Sequence, residues 1–365
     1  MGWMPDKVTD VMEWVDGYIT RRYGGWTQET HDAWQLLLDG AYDVNWSHQI
    51  RSIATRAPDF TWYPEYQLNP GKIAAAWKIL MTAVNEKKLD VSIGPLRYDI
   101  VDIGRQTLIN LFVDLYKMYT KTFLLYNKTS DATLVNGMDV LGSAMIDILA
   151  DLDTLLATDT NFLFGHWLAE AQESAPANAS EDVLNLIEFN ARNQITMWGP
   201  HENIEDYAAK EWAGLFGTYY LARWKLFVDS ISDSIQKKKL FNMTEFLADR
   251  FVLEQSWDYE MKSYPTSPQG DTIEVANSML KKYFKDEDDF KNGYTLMIDQ
   301  DVEGSNLYGQ KIALWTNSTA QIMWFCDLNP DCAGFTLPNL YFKNSVQDTK
   351  FLSGSLLFVK NKSHS

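Results

Sequence analysis

The chain is 365 residues long, 46% hydrophobic and 22% charged. That is the make-up of a folded protein with at least one sizeable core, and the length suits about two domains. A net charge of −17 argues against nucleic acid, because phosphate binding needs basic surface to release counterions; it suits an acidic compartment such as a lysosome or vacuole, where protonation relieves the self-repulsion of the folded state.

In chain order, the first three-quarters reads as helices. Val8, Val11, Met12, Val15, Tyr18 and Ile19 recur at helical spacing, and Gly24-Gly25 ends that helix. Trp34, Leu37 and Leu38 mark a second helix between Thr30 and Tyr42. Residues 54–69, rich in aromatics and prolines, read as irregular. Ile73 to Val84 is helical again, and Gly94-Pro95 breaks the chain. The spacing predicts a long amphipathic helix from Tyr98 to Tyr119, with Val101, Leu108, Leu111, Phe112, Leu115 and Tyr119 on one stripe. Leu134 to Leu156, Phe162 to Gln172 and Glu181 to Met197 follow. Trp198-Gly199-Pro200 interrupts the pattern. A helix is then expected from Ile204 to Ile235, with Asn203 as its N-cap and Asp206 three residues on. Two or three more helices reach Phe284.

The character changes after KDEDDFKNG, Lys285 to Gly293. Tyr294–Ile298, Ile312–Trp315, Gln321–Phe325, Gly334–Leu337, Leu340–Lys343 and Ser355–Val359 are short, β-prone and separated by Gly, Asn, Asp and Pro. The expected fold is therefore mainly α: a multi-helix bundle-like domain over residues 1–288, followed by a small β-rich C-terminal module over residues 289–365.

The two cysteines, Cys326 and Cys332, flank the turn residues Asn329-Pro330-Asp331. They suit a local disulfide or a pair of buried thiols; zinc would need a second Cys or His pair at ligand spacing. Six acceptor sequons, at Asn45, Asn127, Asn178, Asn242, Asn317 and Asn361, exceed the roughly three expected by chance and suggest a glycosylated, secretory-route protein. The start, MGWMPDKVTD, has no apolar h-region, so a signal would lie upstream and the chain reads as the back part of something longer. No run approaches the roughly 18 apolar residues of a membrane span.

Asp299 to Gly304, DQDVEG, resembles the first half of a calcium loop, but Gln310 at position twelve cannot supply the bidentate carboxylate, which favours a solvated acidic turn. None of the five histidines, His31, His48, His166, His201 and His364, lies at a metal spacing. No Gly-rich phosphate loop is present, and no cofactor is expected. His201, beside the Trp-Gly-Pro break, reads either as an exposed loop residue or as a pocket lining. Glycoside hydrolysis needs two carboxyls flanking the scissile bond. Glu188, Glu202, Glu205, Asp206 and Glu211 lie near the break, but no spacing selects a pair. The aromatic share of 14%, with fourteen Trp, fits a large core or a sugar-stacking surface.

The stretches WVDGYITRRYGG (Trp14 to Gly25), AWKILMTAV (Ala76 to Val84), RYDIVDIGRQTL (Arg97 to Leu108), LLATDTNFLFGHWLAEA (Leu155 to Ala171), NARNQITMWGP (Asn190 to Pro200), NIEDYAAKEWAGLFGTYYLARWKLF (Asn203 to Phe227) and YPTSPQGDTIEVANSMLKKY (Tyr264 to Tyr283) occur in that order. On these the chain resembles the C-terminal all-helical domain of the α-N-acetylglucosaminidase family of glycoside hydrolases, the lysosomal enzymes of heparan sulfate breakdown. The resemblance implies a retaining mechanism whose two glutamates lie in a preceding TIM barrel, so that this chain carries no catalytic residue. It implies the barrel as partner, a terminal α-linked N-acetylglucosamine as ligand, and a lysosomal, vacuolar or secreted location. The family's sugar-contacting positions fall on Trp198, Ile204 and Tyr207, with His201 beside them. The Gly199-Pro200 turn would stop one helix, fix the Trp198 ring and start another whose first turn presents Ile204 and Tyr207. Arg223 also matches a family position and is expected to be structural. His201 and Glu202 depart from the family pattern. CDLNPDCAGFT with LYFKNS loosely resembles small PAN/apple-type adhesion modules, as a binding appendage or a packing extension. The other reading of the whole chain is a stand-alone glycan- or protein-binding module that kept the helical fold.

Overall fold

In this computed structural model the described residues are 10–42, 52–61, 68–286, 290, 293–302, 304, 306–308, 311, 312, 314 and 318–361. Val8, Asn45, His48, Gln310, Asn317 and His364 lie outside them.

Among the described residues ten α-helices precede the sheet: α1 Val11–Tyr23, α2 Gln28–Leu37, α3 Pro70–Asn85, α4 Gly94–Thr129, α5 Val135–Leu156, α6 Phe164–Glu173, α7 Glu181–Ile195, α8 Leu221–Gln236, α9 Met243–Asp258 and α10 Thr272–Tyr283. Local chemistry sets their ends. Asp10 caps α1 through Met12 N and Glu13 N, and Gly24, at φ 72°, closes it in the left-handed region. Pro95 sits in the first turn of α4, where a missing N–H costs nothing, so Gly94-Pro95 starts a helix as well as ending a loop.

α4 is the axis of the bundle. It packs against α1, α3, α5 and α10, so burial extends beyond a single stripe: Ile100, Ile109, Val113 and Tyr116 are as buried as Leu108, Phe112, Leu115 and Tyr119. Gly104 is what lets α3 approach. A Cβ there would lie 2.5 Å from the Trp77 ring. One segment among the described residues, Ala132–Leu156, is long and apolar enough to cross a membrane by length and composition. That is more than the sequence reading allowed. Here it is a core helix, with Met138, Leu141, Met145, Ile148, Leu152 and Leu155 buried in the bundle.

The chain then forms a small antiparallel sheet of order β1-β4-β2-β3, from β1 Tyr294–Asp301, β2 Gly334–Leu337, β3 Tyr341–Lys343 and β4 Lys350–Lys360. The expected strand over Gln321–Phe325 is instead part of α11, Thr319–Leu328. Ala320, Ile322, Met323, Trp324, Phe325 and Cys326 are all buried. A short apolar run buried on every side has no periodicity to separate helix from strand. Ile312 and Leu314 lie outside regular structure. Cys326 and Cys332 are joined in a disulfide, Cα–Cα 5.4 Å. The Trp324 indole donates to Lys282 O (2.9 Å) and its ring meets Tyr283 edge-on, which fixes α11 against the end of α10.

The acidic turn resembling a calcium loop holds a built-in cation. The buried Lys343 ammonium donates to Val302 O (2.6 Å), Gly304 O (3.3 Å) and Asn306 Oδ1 (3.0 Å), and Asp301 Oδ1 is 3.3 Å away. Lys343→Met should strand these acceptors and lower stability by about 1–3 kcal/mol, read as a fall in the urea midpoint. Added calcium should not restore it.

Candidate substrate-facing loop

The segment between α7 and α8 departs from the expected helix. α7 ends at Ile195, before the Trp-Gly-Pro break. Regular helix resumes only with a π-helical turn at Phe216–Tyr220 that leads into α8. Between them the backbone takes positive φ at Trp198, Gly199, Glu202, Asp206 and Ala209, which no continuous helix accommodates. Asn203 is thus not a helix cap, and Ile204 and Tyr207 sit on turns (Tyr207 N donates to Ile204 O, 3.1 Å). Glu202, Glu205 and Asp206 face inward to arginines of α8 and α9, with Glu202 and Asp206 held at positive φ.

Asn193 pins the start of the loop. Its Oδ1 accepts from Gly199 N (2.7 Å), its Nδ2 donates to Asp258 Oδ2 (2.8 Å), and its carbonyl accepts from Trp198 N (2.6 Å). Gly199, at φ 123°, has room for no side chain, since a Cβ would lie 2.3 Å from Asn203 Oδ1.

Arg223 and Arg250 pin the rest. Arg223 is fully buried; its Nη1 donates to Asp206 Oδ2 (3.0 Å), Glu254 Oε1 (2.9 Å) and Glu205 Oε1 (3.4 Å). Its Nη2 donates to Thr55 O (2.9 Å), and its plane lies 4.5 Å from the Tyr219 ring. Asp206 Oδ2 also accepts from Ala57 N (2.9 Å), so one guanidinium ties three chain segments together. Arg250 meets Glu202 Oε2 (3.1 Å) and Glu205 Oε1 (3.0 Å). Burial pushes Glu202 up to about 8, aided by contact with Glu254. Burial, then the charges of Glu254 and Asp206, pushes Glu205 up to about 7. Burial likewise raises Asp206, and it raises Asp258 to about 6 against its bonds from Asn193 and Thr196. Glu202, Glu205 and Glu254 each place an oxygen within 4.8 Å of the others. Arg223 and Arg250 contact these same carboxylates and supply positive charge against them.

On this support stands the outer face. The Trp198 and Tyr207 rings meet edge to face, centroids 5.4 Å apart at 89°. Tyr207 is 62% exposed and Ile204 46% exposed, and Trp198 is half-buried. His201 and Pro200 are exposed beside them. The structure brings Trp198, Ile204, Tyr207 and His201 onto one loop and places Arg223 beneath it. The other carboxyls near the break have separate partners. Glu188 pairs with Arg192 (2.6 Å) and Glu211 with Arg105. Arg250, Glu254 and Asp258 were not singled out in the sequence. Their i, i+4, i+8 spacing on α9 was the available signal, but an inward-facing charged stripe looks like a solvated one.

The helical fold matches solved glycoside hydrolases. A family 89 glycoside hydrolase from Clostridium perfringens in complex with PUGNAc superposes with a TM-score of 0.65 at 24% identity, over 76% of this chain and 32% of that one. The GH89 protein of the same organism, in complex with its substrate GlcNAc-alpha-1,4-galactose, gives 0.67 at 23% identity, over 80% and 33%. The fold is thus that of the helical part of such enzymes. The profile of the alpha-N-acetylglucosaminidase (NAGLU) C-terminal domain matches residues 14–282, and human alpha-N-acetylglucosaminidase is 34% identical over 287 residues. The chain belongs to the α-N-acetylglucosaminidase C-terminal domain family. It covers 37% of the length of the human relative.

Proposed function

We propose that this chain forms one wall of the substrate cleft of an exo-acting α-N-acetylglucosaminidase acting on glycosaminoglycan-type glycans. Trp198, Ile204 and Tyr207 face the terminal α-linked N-acetylglucosamine. The observation that carries this reading is an exposed aromatic and aliphatic face held rigid by buried ion pairs: a fixed ring costs little entropy when a sugar docks on it. The catalytic carboxyls belong to a TIM-barrel partner domain, and the carboxyls near the loop here are committed to arginines. Residues 1–288 make the wall and residues 289–365 are an appended module. Asn127, Asn178 and Asn242 are exposed and Asn361 is half-buried; these sequons support a secretory route to a lysosome, a vacuole or the outside. Size-exclusion chromatography of this chain mixed with a relative's barrel domain tests the partnership. Co-elution as a 1:1 complex is expected, and separate elution at micromolar concentration contradicts it. A second reading, a stand-alone binding module, draws on Leu296, Ile298, Phe351 and Leu352, which are exposed on β1 and β4.

A further inference from the structure

Beneath the sugar-facing loop, Glu202 and Glu254 each place a carboxyl oxygen within 4.8 Å of the other and of Glu205. Glu202 Oε1 and Glu254 Oε2 are both sealed from solvent, and among the described residues no N–H or O–H donates to either. Ionised carboxylates only accept hydrogen bonds and repel one another, so two sealed oxygens without a donor this close together favour a proton on one of them. The surrounding groups come from three elements. The loop supplies Glu205 and Asp206, the turn into α8 and α8 itself supply Tyr219 and Arg223, and α9 supplies Arg250 and Asp258. Two guanidiniums therefore face four clustered carboxyls of Glu202, Glu205, Asp206 and Glu254. Full ionisation would leave excess negative charge in a buried site.

We propose that Glu202 and Glu254 are positioning residues which share one proton, and that this proton locks the loop carrying Trp198, Ile204 and Tyr207 against α8 and α9. The link to substrate rests on the reading of that loop given above; the shared proton does not. Glu202 holds the proton and donates it to Glu254. Burial opposes ionisation of Glu254, but Arg223, the Glu202 contact and Arg250 outweigh it and hold Glu254 below its ordinary range. The raised group, Glu202, binds its proton in the folded state at pH values where the unfolded chain has released it. The folded state thus holds more protons between about 4.5 and about 8, and stability falls as pH rises through that window. The lock is strongest below about 4.5 and weakens as pH rises toward about 8, where the folded state gives up the proton.

Thermal unfolding of the full chain across this window, wild type against Glu202→Gln, tests the proposal. Glutamine mimics the protonated carboxyl. At neutral pH Glu202→Gln should unfold about 4 °C higher than wild type. The difference should vanish near pH 4.5 and below, where the unfolded chain binds the proton as well. Parallel curves, or a variant less stable at every pH, would overturn the proposal. Glu254→Gln should flatten the same pH dependence while lowering stability throughout, because it removes a partner of Arg223. Hydrogen exchange of residues 196–210, corrected for intrinsic rates, should show greater protection at acidic pH in wild type and no such change in Glu202→Gln. A rise in melting temperature on adding calcium or magnesium at neutral pH would give the site to a cation and overturn it as well. None of these readings involves sugar. If they hold while Tyr207→Ala leaves hydrolysis intact, the proton lock stands and the substrate assignment fails.

Discussion

Arg223→Ala is expected to cost about 3–5 kcal/mol, the usual penalty for removing one partner of a buried ion pair. For a chain of this size that is a fall in melting temperature on the order of 10 °C. Asp206 and Glu254 would lose their shared counter-charge, and Thr55 O its donor. Arg223→Lys should recover only part of the loss, because one ammonium cannot reach Thr55 and both carboxylates in the planar geometry of the guanidinium. Differential scanning calorimetry of the three proteins reads this directly. A variant within 2 °C of wild type would mean that the loop is not held from beneath. Because the network lies under the Trp198–Tyr207 face, variants that still fold should also expose residues 196–210 to proteolysis first.

Tyr207→Ala should do the reverse, leaving the fold intact and lowering activity. The side chain is 62% exposed, so melting should shift by no more than about 1 °C, the ordinary effect of a surface substitution. In the complex with the family's barrel, loss of the ring should reduce kcat/KM for an α-N-acetylglucosaminide by about tenfold, the equivalent of about 1.4 kcal/mol of ring contact. Trp198→Ala should do at least as much. It also removes the edge-to-face support of Tyr207 and an aromatic side chain at a positive-φ position. Unchanged kinetics in both variants would place the sugar elsewhere.

Helix positions in the bundle were legible because amphipathic periodicity and end signals agree there. Gly24, Pro95 and the stripe of α5 each say the same thing locally and globally. α11 was not legible, since a run that is apolar on every side carries no phase. Nor was the path of residues 196–214. Pattern alone continues Ile204 into α8, whereas the acidic stretch faces inward to Arg223 and Arg250, which reach from two separate helices. Trp198, Ile204 and Tyr207 were reached through family resemblance, because an exposed aromatic on a loop has no spacing to announce it. The layer beneath them, Glu254 and Asp258 with Arg250, was missed for the opposite reason: charged residues on a helix read as solvated until a partner is found across the fold.

The central claim is that this chain supplies a cleft wall and not the bond-breaking groups. The most direct test is hydrolysis of a chromogenic α-N-acetylglucosaminide at mildly acidic pH, by the purified chain alone and after adding a relative's barrel domain. No turnover is expected from the chain alone, and turnover is expected once the barrel is present. Robust turnover by the chain alone would contradict it, because the catalytic carboxyls would then lie within these 365 residues.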